Sequence, residues 1–208
     1  EQGASVHTDA TQAVGRVPVS VESLGVDYLT LSAHKFSGPQ GAGALYVRRG
    51  ARLAPLLHGG GQEGGRRSGT LNAAGIAGLG AAAALARREM DSRSRRVKAL
   101  RDGLERGIME RIEDCRLNGH PELRLPGHLN LSFGSVEGEA LLFALDLAGV
   151  ACSTGSACSS GSLDPSHVLS AMGFDAARAR GAVRFSLGPY NNSEEVDAVI
   201  EMLPAIVA

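Results

Sequence analysis

From about Asn72 to Ile112 the sequence holds one helical pattern, with Ala-rich turns first and Arg-rich turns after. About forty residues is long for a globular chain, where helices average about 11–12. A break is therefore expected near Met90-Asp91-Ser92, and with it a boundary between two domains, 1–91 and 92–208. Strand and turn patterning on both sides of this stretch makes the chain a mixture of helix and sheet. The Arg run from Arg87 to Arg106 reads as a solvated helix face.

The first domain alternates short apolar runs with turn signals. Ser5 to Thr8 looks like the end of a strand, and Ala10 to Ala13 can start a helix. Val26 to Ser32 is a buried strand rich in β-formers, Gly38-Pro39-Gln40-Gly41 a turn, and Ala44 to Arg48 a second short strand. Strand, short helix and strand in so few residues argue an α/β arrangement. Gly59-Gly60-Gly61-Gln62-Glu63-Gly64-Gly65 is expected to be an irregular loop, since helix and strand interiors penalise this much Gly. In the second domain Leu129 to Phe133 alternates like a strand, Gly138 to Ala148 like a helix and Gly181 to Leu187 like a strand. Ser193 begins a terminal helix with Glu194 and Glu195 in its first turn. The second domain is thus a small α+β unit.

Composition removes several classes of function. With 43% hydrophobic and 21% charged residues, the 208-residue chain can bury a core. A net charge of −1 argues against a dedicated nucleic-acid binder, and no run of about 18 apolar residues offers a membrane-spanning helix. The chain opens Glu1-Gln2-Gly3-Ala4, with no apolar leader. Three Cys without a disulfide framework suit a reducing, cytoplasmic setting. No Cys-x-x-Cys or paired His spacing suggests zinc. Of the 21 basic residues only Lys35 and Lys98 are Lys.

Four residues stand out chemically. Lys35 directly follows the buried strand, in Leu31-Ser32-Ala33-His34-Lys35-Phe36. Alone it reads as a surface Lys, but ligands in α/β sheets gather at the carboxyl ends of strands, where a desolvated Lys suits Schiff-base chemistry. Asp9, at the end of the preceding strand, is either a helix N-cap or a carboxylate partner for a protonated ring nitrogen. An Asp for the pyridinium and a Lys for the Schiff base are the two fixtures pyridoxal phosphate requires. Cys158 lies in a run of small polar residues, Cys152 to Ser162, expected to form an exposed, mobile loop where a thiol is accessible as a nucleophile. Cys152 is expected at the base of that loop as a small packed residue, and Cys115 as structural. Arg184, a charge inside the apolar run Ala182 to Leu187, needs a carboxylate, from the protein as a salt bridge or from a ligand.

At these residues the sequence resembles the cysteine desulfurases of the NifS/IscS type, pyridoxal-phosphate enzymes of the class V aminotransferase family. The resemblance runs through Asp9-Ala10-Thr11-Gln12, Ser32-Ala33-His34-Lys35, Gly38-Pro39-Gln40-Gly41, Gly59-Gly60-Gly61-Gln62-Glu63 and Arg66-Arg67-Ser68-Gly69-Thr70. It continues through Ser153-Thr154-Gly155-Ser156-Ala157-Cys158, the long cysteine loop of group I, to Arg184-Phe185-Ser186.

The resemblance implies the aspartate aminotransferase-like fold, fold type I, with a partial large domain over 1–91 and a small C-terminal domain over 92–208. It implies that Lys35 forms the Schiff base with the cofactor, Asp9 pairs with the ring nitrogen and Gln12 bonds the phenolic oxygen. Ser32 and His34 would hold the phosphate, and Thr70 would reach the phosphate of a second subunit in a homodimer. Arg184 would bind the carboxylate of substrate cysteine, and Cys158 would carry the persulfide to an acceptor protein. Iron–sulfur assembly, tRNA thiolation and DNA phosphorothioation all use such donors. Relatives are about twice this long, so the chain is expected to correspond to their C-terminal half, with the N-terminal half elsewhere. A selenocysteine lyase or aminotransferase-like relative, or an inactive module that dimerises or docks a partner, are the competing readings.

Overall fold

The structure is a computed structural model and describes residues 3–134, 136–154 and 165–208. The chain divides into two compact units, Glu1–Asp91 and Ser92–Ala208.

In the first unit three strands form one sheet, β1 (His7–Asp9), β2 (Tyr28–Ser32) and β3 (Gly43–Val47), with β2 in the middle. β1 and β2 are parallel, with His7 opposite Tyr28 and Asp9 opposite Thr30. β2 and β3 are antiparallel, from Tyr28 opposite Val47 to Ser32 opposite Gly43. The parallel pair needs a crossover, which is supplied by the segment 10–27 and its short helix α1 (Val21–Leu24). Ser20 caps α1 by accepting the Ser23 N–H at 3.2 Å. The helix expected from Ala10 does not form. Ala13 and Val14 bond back to the Ala10 carbonyl and Arg16 and Val17 to that of Ala13, making two separate turns. Gly15 at φ 78° breaks the helical run between them, and Pro18 follows. Ala10, Val26 and Leu29 form one buried cluster, and Ala33, Phe36 and Ala86 another.

Helix α2 spans Ala73–Arg111 without interruption, so the break expected near Met90-Asp91-Ser92 is absent. Its residues 81–102 contain neither Gly nor Pro and are dominated by Ala, Arg and Leu, strong helix formers. A Lys98–Asp102 ion pair one turn apart, at 2.6 Å, adds to this. The division between the two units falls within this helix.

The second unit is built on an antiparallel sheet of β4 (Cys115–Leu117), β5 (His128–Phe133) and β6 (Ala182–Ser186), with β5 central. Alternation along β5 puts Leu129, Leu131 and Phe133 on one face. They are buried with Leu104 and Ile108 of α2, Leu141 and Leu145 of α3 (Gly138–Leu147), Val183 and Phe185 of β6, and Leu203 of α6 (Ser193–Val207). A capping box between Asn192 and Glu195 starts α6. Two short helices, α4 (His167–Ala171) and α5 (Ala176–Arg180), complete the unit. Among the described residues no helix is long and apolar enough to cross a membrane.

Candidate active site

Because β1 and β2 are parallel, their carboxyl ends lie at the same edge of the sheet. Asp9 is the last residue of β1 and Ser32 the last of β2. A 3-10 turn, Ala33–Phe36, leads directly from Ser32 and carries His34 and Lys35. Three residues per turn bring Ala33 and Phe36 onto one side. Both are buried, and His34 and Lys35 face outward. Lys35 is therefore exposed in this chain, and the desolvation expected for it is not present.

Two features shape the chain just after Lys35. Ser37 closes the turn in the left-handed region at φ 68°, an uncommon conformation for a residue with a Cβ. Such strained positions cluster at functional sites. Gly38 then passes so close to the turn that a Cβ there would stand 2.8 Å from Ala33 Cβ and 3.0 Å from the Ala33 carbonyl oxygen.

Asp9 caps no helix. Its Oδ1 accepts the Thr11 N–H at 2.9 Å, an Asx turn that bends the chain away from β1. Hydrogen bonds from the Thr11 side chain and backbone hold the Asp9 carboxyl below its ordinary value. Burial opposes them weakly, and His7 and Thr30 act in the same direction as Thr11. The carboxylate is thus ionised and exposed at the sheet edge, the state required opposite a protonated ring nitrogen.

Gln12 is exposed in the turn after Asp9. Its side-chain Oε1 and its backbone carbonyl both accept from Nη1 of Arg16, the latter at 2.6 Å. Nη2 of the same guanidinium donates to the Lys35 carbonyl at 3.3 Å. One half-buried arginine therefore joins the turn after β1 to the turn after β2. The sequence reading passed over Arg16; its only local signal was the helix-like spacing of four from Gln12. Thr70 lies exposed just before α2, where its carbonyl accepts from Arg67 Nη1 at 3.4 Å.

Arg184 belongs to the second unit. It sits half-buried in β6, opposite Asn130 of β5. Outside the three-strand sheet, Ser153 pairs with it as an isolated antiparallel bridge. The Ser153 N–H donates to the Arg184 carbonyl at 3.2 Å, and the Arg184 N–H to the Ser153 carbonyl at 2.7 Å. Cys158, five residues further along, lies outside the described residues. The two described cysteines have the character expected of them. Cys115 is buried in β4 and Cys152 is half-buried against the core of the unit. Burial pushes both thiols up to about 11, with Arg178 opposing the rise at Cys115 and Asp146 adding to it at Cys152. At neutral pH both are protonated and poor nucleophiles.

Comparison with known proteins shows the family of the chain. The family model described as Aminotransferase class-V matches residues 1–199. A cysteine desulfurase of Gluconacetobacter diazotrophicus is 52% identical over 208 residues, which is 100% of this chain and 52% of that protein. The cysteine desulfurase IscS of Dictyoglomus turgidum is 52% identical over 201 residues, covering 97% of this chain and 51% of its own length. The crystal structure of a NifS-like protein from Rickettsia africae superposes with a TM-score of 0.87 at 32% identity, covering 97% of this chain and 53% of that one. The chain thus spans about half the length of the curated relatives it matches.

Proposed function

The chain belongs to the class V aminotransferase family, whose fold is that of the pyridoxal-phosphate-dependent transferases of fold type I, and on that premise we propose that it carries the working residues of a cysteine desulfurase. The observation that carries the proposal is the parallel pairing of β1 and β2. It gathers an ionised carboxylate, Asp9, and the segment Ser32–Lys35 at one sheet edge. The donor set fits pyridoxal phosphate: a carboxylate for the ring nitrogen, an amide for the phenolic oxygen, a hydroxyl and an imidazole for the phosphate, and an amine for the aldehyde. The first unit is then part of the cofactor-binding domain, and the second is the small domain that bears the reactive cysteine.

When bound, this cofactor supplies a sink for the electron pair left at the substrate Cα once its proton is removed. Asp9 keeps the proton on the ring nitrogen. Gln12 donates to the phenolic oxygen, and Ser32 and His34 hold the phosphate, with Thr70 serving the second subunit of a homodimer. The Lys35 amine takes the Cα proton as general base. Arg184 binds the substrate carboxylate through its planar pair of donors. The Cys158 thiolate attacks the substrate sulfur, forming an S–S bond as the C–S bond breaks. The electron pair of the C–S bond goes to the substrate Cβ, which takes up a proton, so that alanine leaves and a persulfide remains on Cys158 for an acceptor protein. A pool of reduced thiol suits this cycle, so we place it in the cytoplasm, with iron–sulfur assembly as its outlet.

The test uses the protein with its remaining sequence, incubated with cysteine and a thiol. Sulfide and alanine should form in equal amounts. Lys35→Ala should abolish both and remove the visible absorbance of the bound cofactor, whereas Cys158→Ala should keep the absorbance and lose sulfide. Full sulfide release by Cys158→Ala would defeat the persulfide role.

A further inference from the structure

The bridge made by Arg16 has a chemical consequence for Gln12. A primary amide presents an acceptor oxygen on one side and two N–H donors on the other, and the two orientations differ by a flip. Here Oε1 is taken by Arg16 Nη1, which also holds the Gln12 backbone carbonyl at 2.6 Å. With its oxygen engaged in this way, what the exposed Gln12 amide has to offer a ligand is its donor end. A guanidinium cannot accept a hydrogen bond, so no flipped amide could keep this contact. Arg16 is half-buried, and its Nη2 is spent on the Lys35 carbonyl at 3.3 Å, which limits how far the guanidinium can turn.

We infer that Arg16 is a positioning residue that locks the Gln12 amide with its N–H group toward the cofactor's phenolic oxygen and so favours the ionised form of that oxygen. The inference rests on the cofactor reading above and adds to it what decides the polarity of the Gln12 contact. Donation to the ionised form of a group stabilises that form. A freely flipping amide would present its oxygen part of the time and oppose it.

The test compares the visible absorbance of the bound cofactor, which reports the ionised phenolic oxygen, with the near-ultraviolet absorbance of the neutral form. It uses the cofactor-loaded protein with its remaining sequence at one fixed pH. Arg16→Met should lower the visible-to-ultraviolet ratio about fivefold, the factor for one hydrogen bond of ordinary strength. Arg16→Lys, which keeps a charged donor, should restore most of it. In a Gln12→Ala background, Arg16→Met should change nothing further, since the effect is routed through that amide. An equal drop with and without Gln12 would overturn the inference, because the guanidinium would then act through the Lys35 backbone. An unchanged ratio in Arg16→Met alongside a lowered one in Gln12→Ala would also overturn it and leave the cofactor reading intact. No visible band in the unaltered protein would remove the cofactor reading, and this inference with it. Should the Met variant not fold, Arg16→Leu, which also lacks a donor, carries the same comparison.

Discussion

Ser153 and Arg184 exchange both of their backbone hydrogen bonds, at 3.2 and 2.7 Å, so the segment that leads into Cys158 is stitched to the strand bearing the proposed substrate arginine. The two groups proposed for separate tasks, Arg184 for the substrate carboxylate and Cys158 for the sulfur, thereby start from a shared backbone anchor.

Ser153→Pro should test that anchor. Proline has no N–H to give the Arg184 carbonyl, and the loss of one backbone bond in an extended pair costs about 1 kcal/mol. The cofactor absorbance should stay as in the parent while sulfide release falls several-fold, measured as turnover at saturating cysteine.

Thr11→Val should raise the Asp9 pKa toward the ordinary carboxylate value of about 3.9, because the largest cause of its lowering is the Thr11 side-chain hydrogen bond. Titration of the Asp9 carboxyl carbon by NMR reads this directly. The backbone bond from the residue 11 N–H persists in the variant, so part of the depression should remain.

His128, half-buried at the start of β5, should make the protein acid-sensitive. Burial lowers its pKa first, and the positive charges of Arg184, Arg124 and Arg101 lower it further. The folded state therefore resists protonation more than the unfolded state, whose His has a pKa of about 6.5. Its stabilising contribution is complete above that value and is lost as pH falls toward the lowered folded pKa. His128→Gln should flatten the stability profile in this window, followed by denaturant unfolding at a series of pH values.

Alkylation should separate the three cysteines. With burial holding Cys115 and Cys152 up to about 11, brief treatment with iodoacetamide at neutral pH should leave both unmodified in the folded protein. Peptide mass spectrometry should find the label on Cys158, and cysteine added beforehand should convert that thiol to a persulfide. Rapid labelling of Cys152 would show that its packing against the core is looser than described.

Asp102→Ala should destabilise the second unit. Its carboxylate receives Arg101 Nε at 2.9 Å, and the Arg101 side chain is only 1% exposed. Removing one partner of a buried pair costs about 3–5 kcal/mol. Asp102 itself is 38% exposed and its field is screened, so about 1–3 kcal/mol is expected from denaturant melts.

Local sequence was enough for β2, β3, β5, β6, α3 and α6, because β-branched alternation, helical periodicity and capping residues act over a few neighbours. It also placed Lys35 after a strand and Asp9 at the end of the one before it, since strand ends are marked by turn chemistry, although β2, expected to be buried, buries only Leu29 and leaves its other residues half-buried. It misread two features for opposite reasons. Gly15 and Pro18 outweighed the helix-forming residues after Ala10, whereas helix propensity carried α2 through Met90–Ser92, where length alone argued for a break. It left Lys35 open between a surface Lys and a desolvated one, because burial depends on what packs over a turn and not on the turn's own residues. The parallel register that aligns Asp9 with Thr30, the Arg16 bridge between two turns and the Ser153–Arg184 pairing have no local signature. Each joins residues far apart in the chain through donors and acceptors that every backbone or polar side chain possesses, so their partners are chosen only when the sheet and its flanking turns come together.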